Sequence, residues 1–97
     1  MDATDGPVSE FSLSPVFPNP GRGIEYVGWT MPSAASVRLT VHDVMGREVA
    51  VLAEGPYAAG RYSIRWNASN RGLATGMYFV RLVTPAGMFT RRVALIQ

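Results

Sequence analysis

The stretch VGWTMPSAASVRLTV, residues 27–41, decides the fold of this chain, because apolar residues alternate with small or polar ones on both sides of a proline. Alternation with a period of two places every second side chain on one face of an extended strand, whereas a helix would show a period near 3.6. Pro32 and Ser33 between the two runs favour a turn. The stretch therefore predicts two strands with one buried face each, formed by Val27, Trp29, Met31, Val37, Leu39 and Val41.

The same period continues through the rest of the chain, with turn-forming residues between the runs. Turns are predicted at 31–34, 45–47, 54–56, 67–72 and 85–87. Residues 46–53 are the most ambiguous, but their β-branched side chains and the turn at Gly46 favour a strand. The predicted strands are residues 11–17, 24–31, 36–43, 47–53, 61–67, 76–84 and 88–96.

Seven short strands at this spacing are typical of an all-β fold, a seven-stranded antiparallel immunoglobulin-like β-sandwich. The inward positions of both sheets would form one core. Beyond the six positions already named, the predicted core consists of Val49, Leu52, Tyr62, Ile64, Trp66, Tyr78, Val80, Leu82, Val93 and Leu95.

Composition limits the number of domains and the class of partner. The chain has 97 residues, 47% of them hydrophobic and 16% charged, so we expect one domain with one core. Nine basic and seven acidic residues give a formal net charge of +2, and only Arg91 and Arg92 are adjacent among the basic ones, which argues against nucleic-acid binding. The chain contains no cysteine, so neither a disulfide nor a thiolate site is possible.

The first ten residues differ in character from the segment that follows. Residues 1–10 are polar and lack the regions of a secretory signal, so we interpret them as a linker from a longer parent chain, with the domain spanning residues 11–97. Apolar runs are too short to cross a bilayer. Pro15, Pro18 and Pro20 lack backbone donors and confine the next segment to a sheet edge or an extended lead-in.

Few residues have catalytic or metal-binding potential. His42 is the only histidine and lies beside Asp43 on the polar face of a strand, where we expect a solvated side chain and not a general base. Asp2 and Asp5 lack the spaced ligands and the closing glutamate of a calcium loop. We therefore expect no catalytic residue, no metal site and no cofactor.

Two features concern carbohydrates. Asn67-Ala68-Ser69 fits the N-glycosylation pattern, which is common by chance. Trp29, Trp66 and the four tyrosines could offer rings to a sugar, but both tryptophans occupy predicted inward positions, which favours core packing. Weak or absent sugar binding is the expectation.

The strand over residues 76–84 predicts an apolar stripe on the outside of a sheet. Because Tyr78, Val80 and Leu82 are assigned to the core, the residues between them point the other way. Such a stripe either marks a partner site or is covered by the N-terminal segment or a neighbouring domain. The stripe residues are Met77, Phe79 and Val83.

Two short motifs have structural interpretations. Asp43 can accept hydrogen bonds from backbone amides in the turn that follows, while Gly46 supplies a positive φ for the hairpin into residues 47–49. Gly76 allows a tight entry into the strand of Tyr78, whose ring would enter the core while its hydroxyl finds a backbone acceptor, as in a tyrosine corner.

Four motifs, taken in order, resemble those of one family. They are FPNP at 17–20 followed by Gly23, DVMGREV at 43–49, LATGMY at 73–78 and RRVALIQ at 91–97. Over residues 11–97 the chain resembles the C-terminal sorting domain of the type IX (Por) secretion system, type A. Two of these motifs are also similar to the Ig-like domain of flagellar hook-capping proteins. The resemblance gives as recognition candidates Pro18, Asn19, Pro20, Gly23, Asp43, Gly46, Arg47, Gly76, Tyr78, Arg91 and Arg92.

The resemblance implies a non-catalytic signal at the C-terminus of secreted proteins, often glycoside hydrolases or peptidases, of certain gram-negative bacteria. In that family the outer-membrane secretion machinery exports the protein, and a sortase-like peptidase commonly removes the domain and attaches the upstream passenger to surface lipopolysaccharide. A secreted or cell-surface location follows, and the PNP motif, residues 18–20, would mark the hinge where passenger and linker end and the sorting domain begins. The family's tail often ends in lysine, whereas this chain ends in Gln97, so Arg91 and Arg92 would provide the basic character.

The last seven residues are expected to form a closing strand and part of the recognition surface. Val93 and Leu95 would fill the sandwich, and one or both arginines would stay at the rim, where a guanidinium can bind a carboxylate through two hydrogen bonds. Two alternatives remain open from the sequence: an Ig-like structural or docking module of the hook-capping type, and a carbohydrate-binding module of a secreted glycoside hydrolase.

Overall fold

The computed structural model describes residues 8–96, apart from the side chains of Asn70 and Arg71. Two antiparallel sheets form a sandwich, as the alternation predicts. One short 3-10 helix, Ala68–Arg71, follows the fifth strand, and among the described residues no helix is long and apolar enough to cross a membrane. The strands are β1 (Ser12–Leu13), β2 (Ile24–Met31), β3 (Ala35–His42), β4 (Glu48–Tyr57), β5 (Gly60–Asn67), β6 (Gly76–Thr84) and β7 (Gly87–Leu95).

The two sheets differ in size. One contains three strands in the order β1-β2-β5, and the other contains four in the order β4-β3-β6-β7. The long hairpin of β6 and β7 is in register from Gly76 opposite Leu95 to Thr84 opposite Gly87. Consequently β7 is an edge strand of the larger sheet, and no other described strand of that sheet pairs with its outer edge.

The core agrees with the predicted inward positions on β2, β3, β6 and β7, all of which are buried. Four residues predicted to lie in the core are only partly buried and pack against the edge of the core. They are Val49, Leu52, Tyr62 and Ile64. Tyr62 and Ile64 lie on β5, which has a neighbour on one side only. Their partial exposure follows from that edge position.

Irregular pairing of β4 with β3 explains why Val49 and Leu52, predicted to lie in the core, are only partly buried. The register of β4 against β3 skips Leu52 and, further along, Val49, so each of these residues sits in a bulge. A bulge shifts the inward and outward positions by one residue. Ala50 and Ala53 are therefore buried in place of the two larger side chains.

Two strand boundaries also differ from prediction. The turn predicted at 54–56 is wrong, because β4 continues through Pro56 to Tyr57. A proline is tolerated there since β4 is an edge strand. The first strand is shorter than 11–17: only Ser12–Leu13 is regular, followed by an isolated bridge between Phe17 and Tyr26.

The predicted linker, residues 1–10, falls largely outside the described part of the chain. Residues 1–7, which include Asp2 and Asp5, are not described, and the same holds for Gln97. The division into a linker and a domain spanning 11–97 therefore stays a prediction.

Candidate functional site

The proline segment runs along the open edge of β7, where the side chain of Asn19 pairs with the backbone. Its Oδ1 accepts a hydrogen bond of 3.0 Å from the N–H of Ala94, and its Nδ2 donates to the carbonyl of Arg92 at 3.4 Å. The amide of Asn19 thus satisfies two polar groups that an edge strand would otherwise leave without a protein partner.

Gly21 continues this pairing by its backbone. Its N–H donates to the carbonyl of Ala94 at 2.8 Å, and its carbonyl accepts from the N–H of Ile96 at 2.8 Å. Gly21 and Leu95 form a parallel bridge. We call residues 17–23 together with 91–96 the tail junction, because this pairing joins the two segments into one surface.

The two adjacent arginines of β7 have different environments. Arg91 lies opposite the buried Val80, and its Nε donates to the carbonyl of Leu13 at 2.8 Å, which ties β7 to β1 in the other sheet. Arg92 lies opposite Phe79 on the outer face and is exposed. Within residues 8–96 its guanidinium has no hydrogen-bond or ion-pair partner, so Arg92 is an available cation of the tail junction, as is the exposed Arg22.

The turn after β3 is organised by Asp43. Its Oδ1 accepts from the N–H groups of Met45 at 2.9 Å and Arg47 at 3.0 Å, and its Oδ2 contacts Nε of Arg47 at 2.8 Å. Gly46 has a φ of +83°, as the turn requires. Desolvation raises the pKa of Asp43, but the hydrogen bonds from Arg47 and Met45 outweigh it and hold the pKa below its ordinary value. These residues have a structural role in the turn.

Tyr78 is also held by a local contact. Its ring is buried, and its hydroxyl donates to the carbonyl of Ala74 at 2.7 Å. Tyr62 makes the same contact with Ala58, also at 2.7 Å and four residues upstream. Gly76 does not have a positive φ, and a Cβ there would meet only Tyr78 Cε2, at 4.0 Å. The structure therefore shows no steric need for glycine at that entry.

Comparison with known proteins identifies the class of domain. Residues 15–96 match the family described as "Secretion system C-terminal sorting domain". This chain belongs to that family. The role supported for the sorting domain is therefore a C-terminal sorting signal for type IX secretion, and the protein that carries it is a secreted or cell-surface protein. Sorting domains of this family are non-catalytic in general.

A solved structure shares the fold of the sorting domain. It is the crystal structure of dimeric latent PorU from Porphyromonas gingivalis, which matches with a TM-score of 0.64 at 21% identity. The match covers 92% of this chain but 10% of that one, so the sorting domain corresponds to about a tenth of the larger protein. No curated protein matches the sequence.

The apolar stripe of the sorting domain is interrupted. Met77 and Val83 are exposed, but Phe79 is only partly so, and Arg81 lies between them on the same face. Met88, opposite Val83 on β7, adds an exposed apolar side chain that the sequence interpretation did not include. The described part of the N-terminal segment bonds to β2 and to the end of β7, so the stripe stays uncovered by it.

His42 is buried, contrary to the expectation of a solvated side chain. Its Nε2 lies 2.8 Å from the hydroxyl of Thr40, and its Nδ1 lies 3.4 Å from the carbonyl of Gly46. Both contacts are satisfied when Nδ1 donates and Nε2 accepts. Among the residues that the structure describes, no group of three acidic or imidazole side chains could hold a metal ion.

The aromatic residues divide into buried and exposed sets. Trp29 and Trp66 are buried, so neither tryptophan offers a face to a sugar. Phe17 and Tyr26, which the sequence interpretation did not single out, are exposed and stack at 5.5 Å between ring centroids. Asn67 accepts a 2.6 Å hydrogen bond from Ser69, so the two polar ends of the N-glycosylation motif bind each other.

Glu25 is the residue that sequence reasoning missed. It is fully buried on the inward face of β2, two positions before Val27. The signal was present, because the period of two that places Val27 and Trp29 in the core also places Glu25 there. The alternation used to predict the core begins at Val27 and does not extend back to Glu25.

Proposed function

We propose that this domain directs a passenger, joined to its N-terminal side, across the outer membrane of a gram-negative bacterium and to attachment at the cell surface. The outer-membrane secretion machinery would recognise the folded domain, and a sortase-like peptidase would act between domain and passenger. Residues 1–10 would be the linker, and residues 11–97 the sorting domain. Any enzymatic activity of the parent protein would belong to the passenger.

The observation that supports this proposal best is the tail junction. The PNP motif and the basic tail are 75 residues apart at Asn19 and Ala94, yet hydrogen bonds join them. Two motif regions of a sorting family therefore form a single surface. A receptor that binds this surface would read both motifs at once and would discriminate a folded domain from an unfolded one.

Within the tail junction, Arg92 is the residue we assign to recognition. Its guanidinium is exposed and planar, and it can bind a carboxylate of the machinery through two hydrogen bonds. Arg91 already donates to the carbonyl of Leu13 and so has a role in folding. The double substitution of both arginines would mix these two effects, whereas Arg92→Gln alone separates them.

The test is export of a fused reporter in a host with the type IX system. We expect Arg92→Gln to leave the melting temperature unchanged and the reporter to accumulate in the periplasm. Arg65→Gln is the matched control, because it removes an exposed cation of β5 on the other sheet. Normal export of folded Arg92→Gln would exclude this arginine from recognition, and normal export without residues 11–97 would refute the sorting function.

Attachment is tested separately from export. Fractionation of cells that export the reporter shows whether it stays at the surface or enters the medium, and mass analysis shows whether the domain has been removed. We expect a surface-bound passenger without the domain. A reporter released with the domain intact would limit the function to export.

A docking module is the second candidate, and the exposed apolar side chains of β6 and β7 favour it. Met77, Val83 and Met88 lie on the outer face of the larger sheet. Substitution of both Val83 and Met88 by serine should leave export unchanged if the secretion machinery recognises the tail junction alone. Loss of export by that folded variant would assign recognition to the exposed apolar side chains of β6 and β7.

The carbohydrate-binding alternative now depends on the stacked pair Phe17 and Tyr26. One flat face of such a pair can pack against a sugar ring. Calorimetry with xylan, cellulose and chitin should show weak or no binding, because the two tryptophans are in the core. Saturable binding at micromolar affinity that Tyr26→Ala abolishes would favour the carbohydrate-binding alternative over the sorting function.

A further inference from the structure

Glu25 is a buried acid with no hydrogen-bond partner among the described residues. Its side chain is 0% exposed, and neither carboxyl oxygen has a hydrogen-bond partner among the described residues. Directly opposite on β5 lies Trp66, whose Nε1 is likewise buried and unpaired in the described part of the chain. Burial without a partner disfavours the charged form of a carboxyl group far more than the neutral form.

The cover over this carboxyl group is a short backbone segment. A Cβ added at Gly21 would lie 1.8 Å from one oxygen of Glu25 and 2.2 Å from the other, so the backbone of Gly21 rests directly on the group. We call residues 19–23 the strap. It is tied to β7 through Ala94 and Ile96, and to the 3-10 helix by the 2.7 Å bond from the N–H of Ala68 to the carbonyl of Gly23.

We propose that ionisation of Glu25 releases the strap from the end of β7, so that the tail junction is closed while this carboxyl group is protonated and loosened when it is charged. Lifting the strap removes the backbone that covers the carboxyl group and admits water to it. The hydrogen bonds of Gly21 to Ala94 and Ile96 are the contacts that such an opening breaks. The strands of the core can stay paired.

No charged side chain among the described residues forms a hydrogen bond with this acid. Burial raises the pKa of Glu25 above its ordinary value of 4.5, and the backbone N–H of Gly23 opposes the rise without forming a bond of normal geometry. Arg71 of the 3-10 helix has a side chain outside the described set. The other charged or titratable side chains on the neighbouring elements, none of which bonds to Glu25 within residues 8–96, are Arg22 of the strap, Tyr26 of β2, Arg61, Tyr62 and Arg65 of β5, Tyr78 and Arg81 of β6, and Arg91 and Arg92 of β7.

The sign of the pH dependence follows from a raised pKa. The folded protein holds its proton more tightly than the unfolded chain, so the contribution of Glu25 to stability is complete below a pH of 4.5. That contribution is lost as the pH rises through the folded pKa. Closure of the strap should therefore weaken toward neutral and alkaline pH, and not in acid.

Amide hydrogen exchange on the 97-residue chain tests release of the strap, because it reports on the individual hydrogen bonds of Gly21 and Ile96. We expect the protection factors of Gly21 and Ile96 to fall by about tenfold as the pH rises from 4.5 through the raised pKa of Glu25, while those of Val80 and Leu82 stay constant. Glu25→Gln, which keeps the shape without the charge, should abolish the fall. Glu10→Gln, which removes an exposed carboxylate, should retain it.

A carboxyl-carbon NMR titration of Glu25 in the unmodified protein provides a second measurement that needs no variant. Its midpoint should coincide with the loss of protection at Ile96. An equal fall in Glu25→Gln, a constant protection factor in the unmodified protein, or a midpoint at the ordinary value would each refute the proposal. Parallel loss at Val80 would show that ionisation loosens the whole sandwich and would refute release of the strap alone.

Discussion

The side-chain carbonyl of Asn19 accepts a hydrogen bond of 3.0 Å from the backbone N–H of Ala94, 75 residues further along the chain. With the second bond from Nδ2 to the carbonyl of Arg92, one amide side chain pairs with two backbone groups of the last strand. The beginning and the end of the domain are therefore held together by a specific residue and not only by the packing of the core.

Asn19→Ala should lower the free energy of unfolding by about 1 to 2 kcal/mol, because two hydrogen bonds are lost and two backbone groups need new partners. Urea titration measures the change, and exchange of the Ala94 amide locates it. Asn67→Ala is the control, since the amide oxygen of Asn67 bonds only to the neighbouring Ser69 among the described contacts. Equal effects of both variants would contradict a special role for Asn19.

Trp29→Ala and Trp66→Ala should each lower the free energy of unfolding by about 3 to 5 kcal/mol. Both indoles are buried, so each substitution leaves a large cavity in the core. Trp29 also loses its stacking on Tyr62, whose ring centroid is 5.0 Å away. Met88→Ala, at a side chain that is 60% exposed, should change stability by less than about 0.5 kcal/mol. Unchanged urea midpoints for both tryptophan variants would reject the core assignment.

Gly21→Ala should destabilise the domain by about 1 to 3 kcal/mol, since the new methyl group would overlap the carboxyl group of Glu25. Shortening that side chain with Glu25→Ala removes the overlap, so the two substitutions should be clearly non-additive in a double-mutant cycle. Gly76→Ala serves as the control and should be tolerated, because its Cβ would meet only one atom, at 4.0 Å. Additive effects at positions 21 and 25 would show that the strap does not rest on the carboxyl group.

Tyr78→Phe should lower stability by about 0.5 to 1.5 kcal/mol, since the carbonyl of Ala74 loses its donor in a partly buried site. Tyr62→Phe removes a bond of the same length and spacing at an exposed site, where water can replace the donor. We therefore expect the smaller loss for Tyr62→Phe in thermal unfolding. The reverse order would mean that burial does not decide the strength of these contacts.

Asp43 should make the domain sensitive to acid. Its pKa is lowered in the folded state, so its contribution to stability is present above the ordinary value of 3.8 and is lost as the pH falls through the folded pKa. Asp43→Asn keeps an acceptor for Met45 but loses the charge, and should flatten the acid limb of a plot of stability against pH. An unchanged acid limb would assign the acid sensitivity to other carboxyl groups.

Much of the fold could be predicted from alternation, because a buried face requires an apolar residue at every second position of a strand. Alternation predicts Trp66, Tyr78 and Val93 in the core, and all three are buried. Val49 and Leu52 were placed there on the same basis and are not, since the bulges of β4 shift the register by one residue at two points. A bulge depends on how two strands pair, so it cannot be predicted from the sequence of either strand alone.

The candidate site was predictable only in part. The motifs indicated which residues belong together in a family, including Asn19 and Arg92, but not that the amide of one would bond to the backbone of the other. The difference between Arg91 and Arg92 was also hidden. One faces Val80 and reaches across to Leu13, and the other faces outward, which follows from the pairing of β6 and β7.

By itself the sequence determined the class of fold, most strand bounds, most of the core, the turn of Asp43 and Gly46, and the family. Each of these depends on local alternation of apolar residues or on a short motif. Tertiary structure decided the tail junction, the burial of His42 and the enclosure of Glu25 beneath Gly21. Those features join residues that are distant in the chain. Their contacts depend on how two sheets and an edge strand come together, which no local pattern specifies.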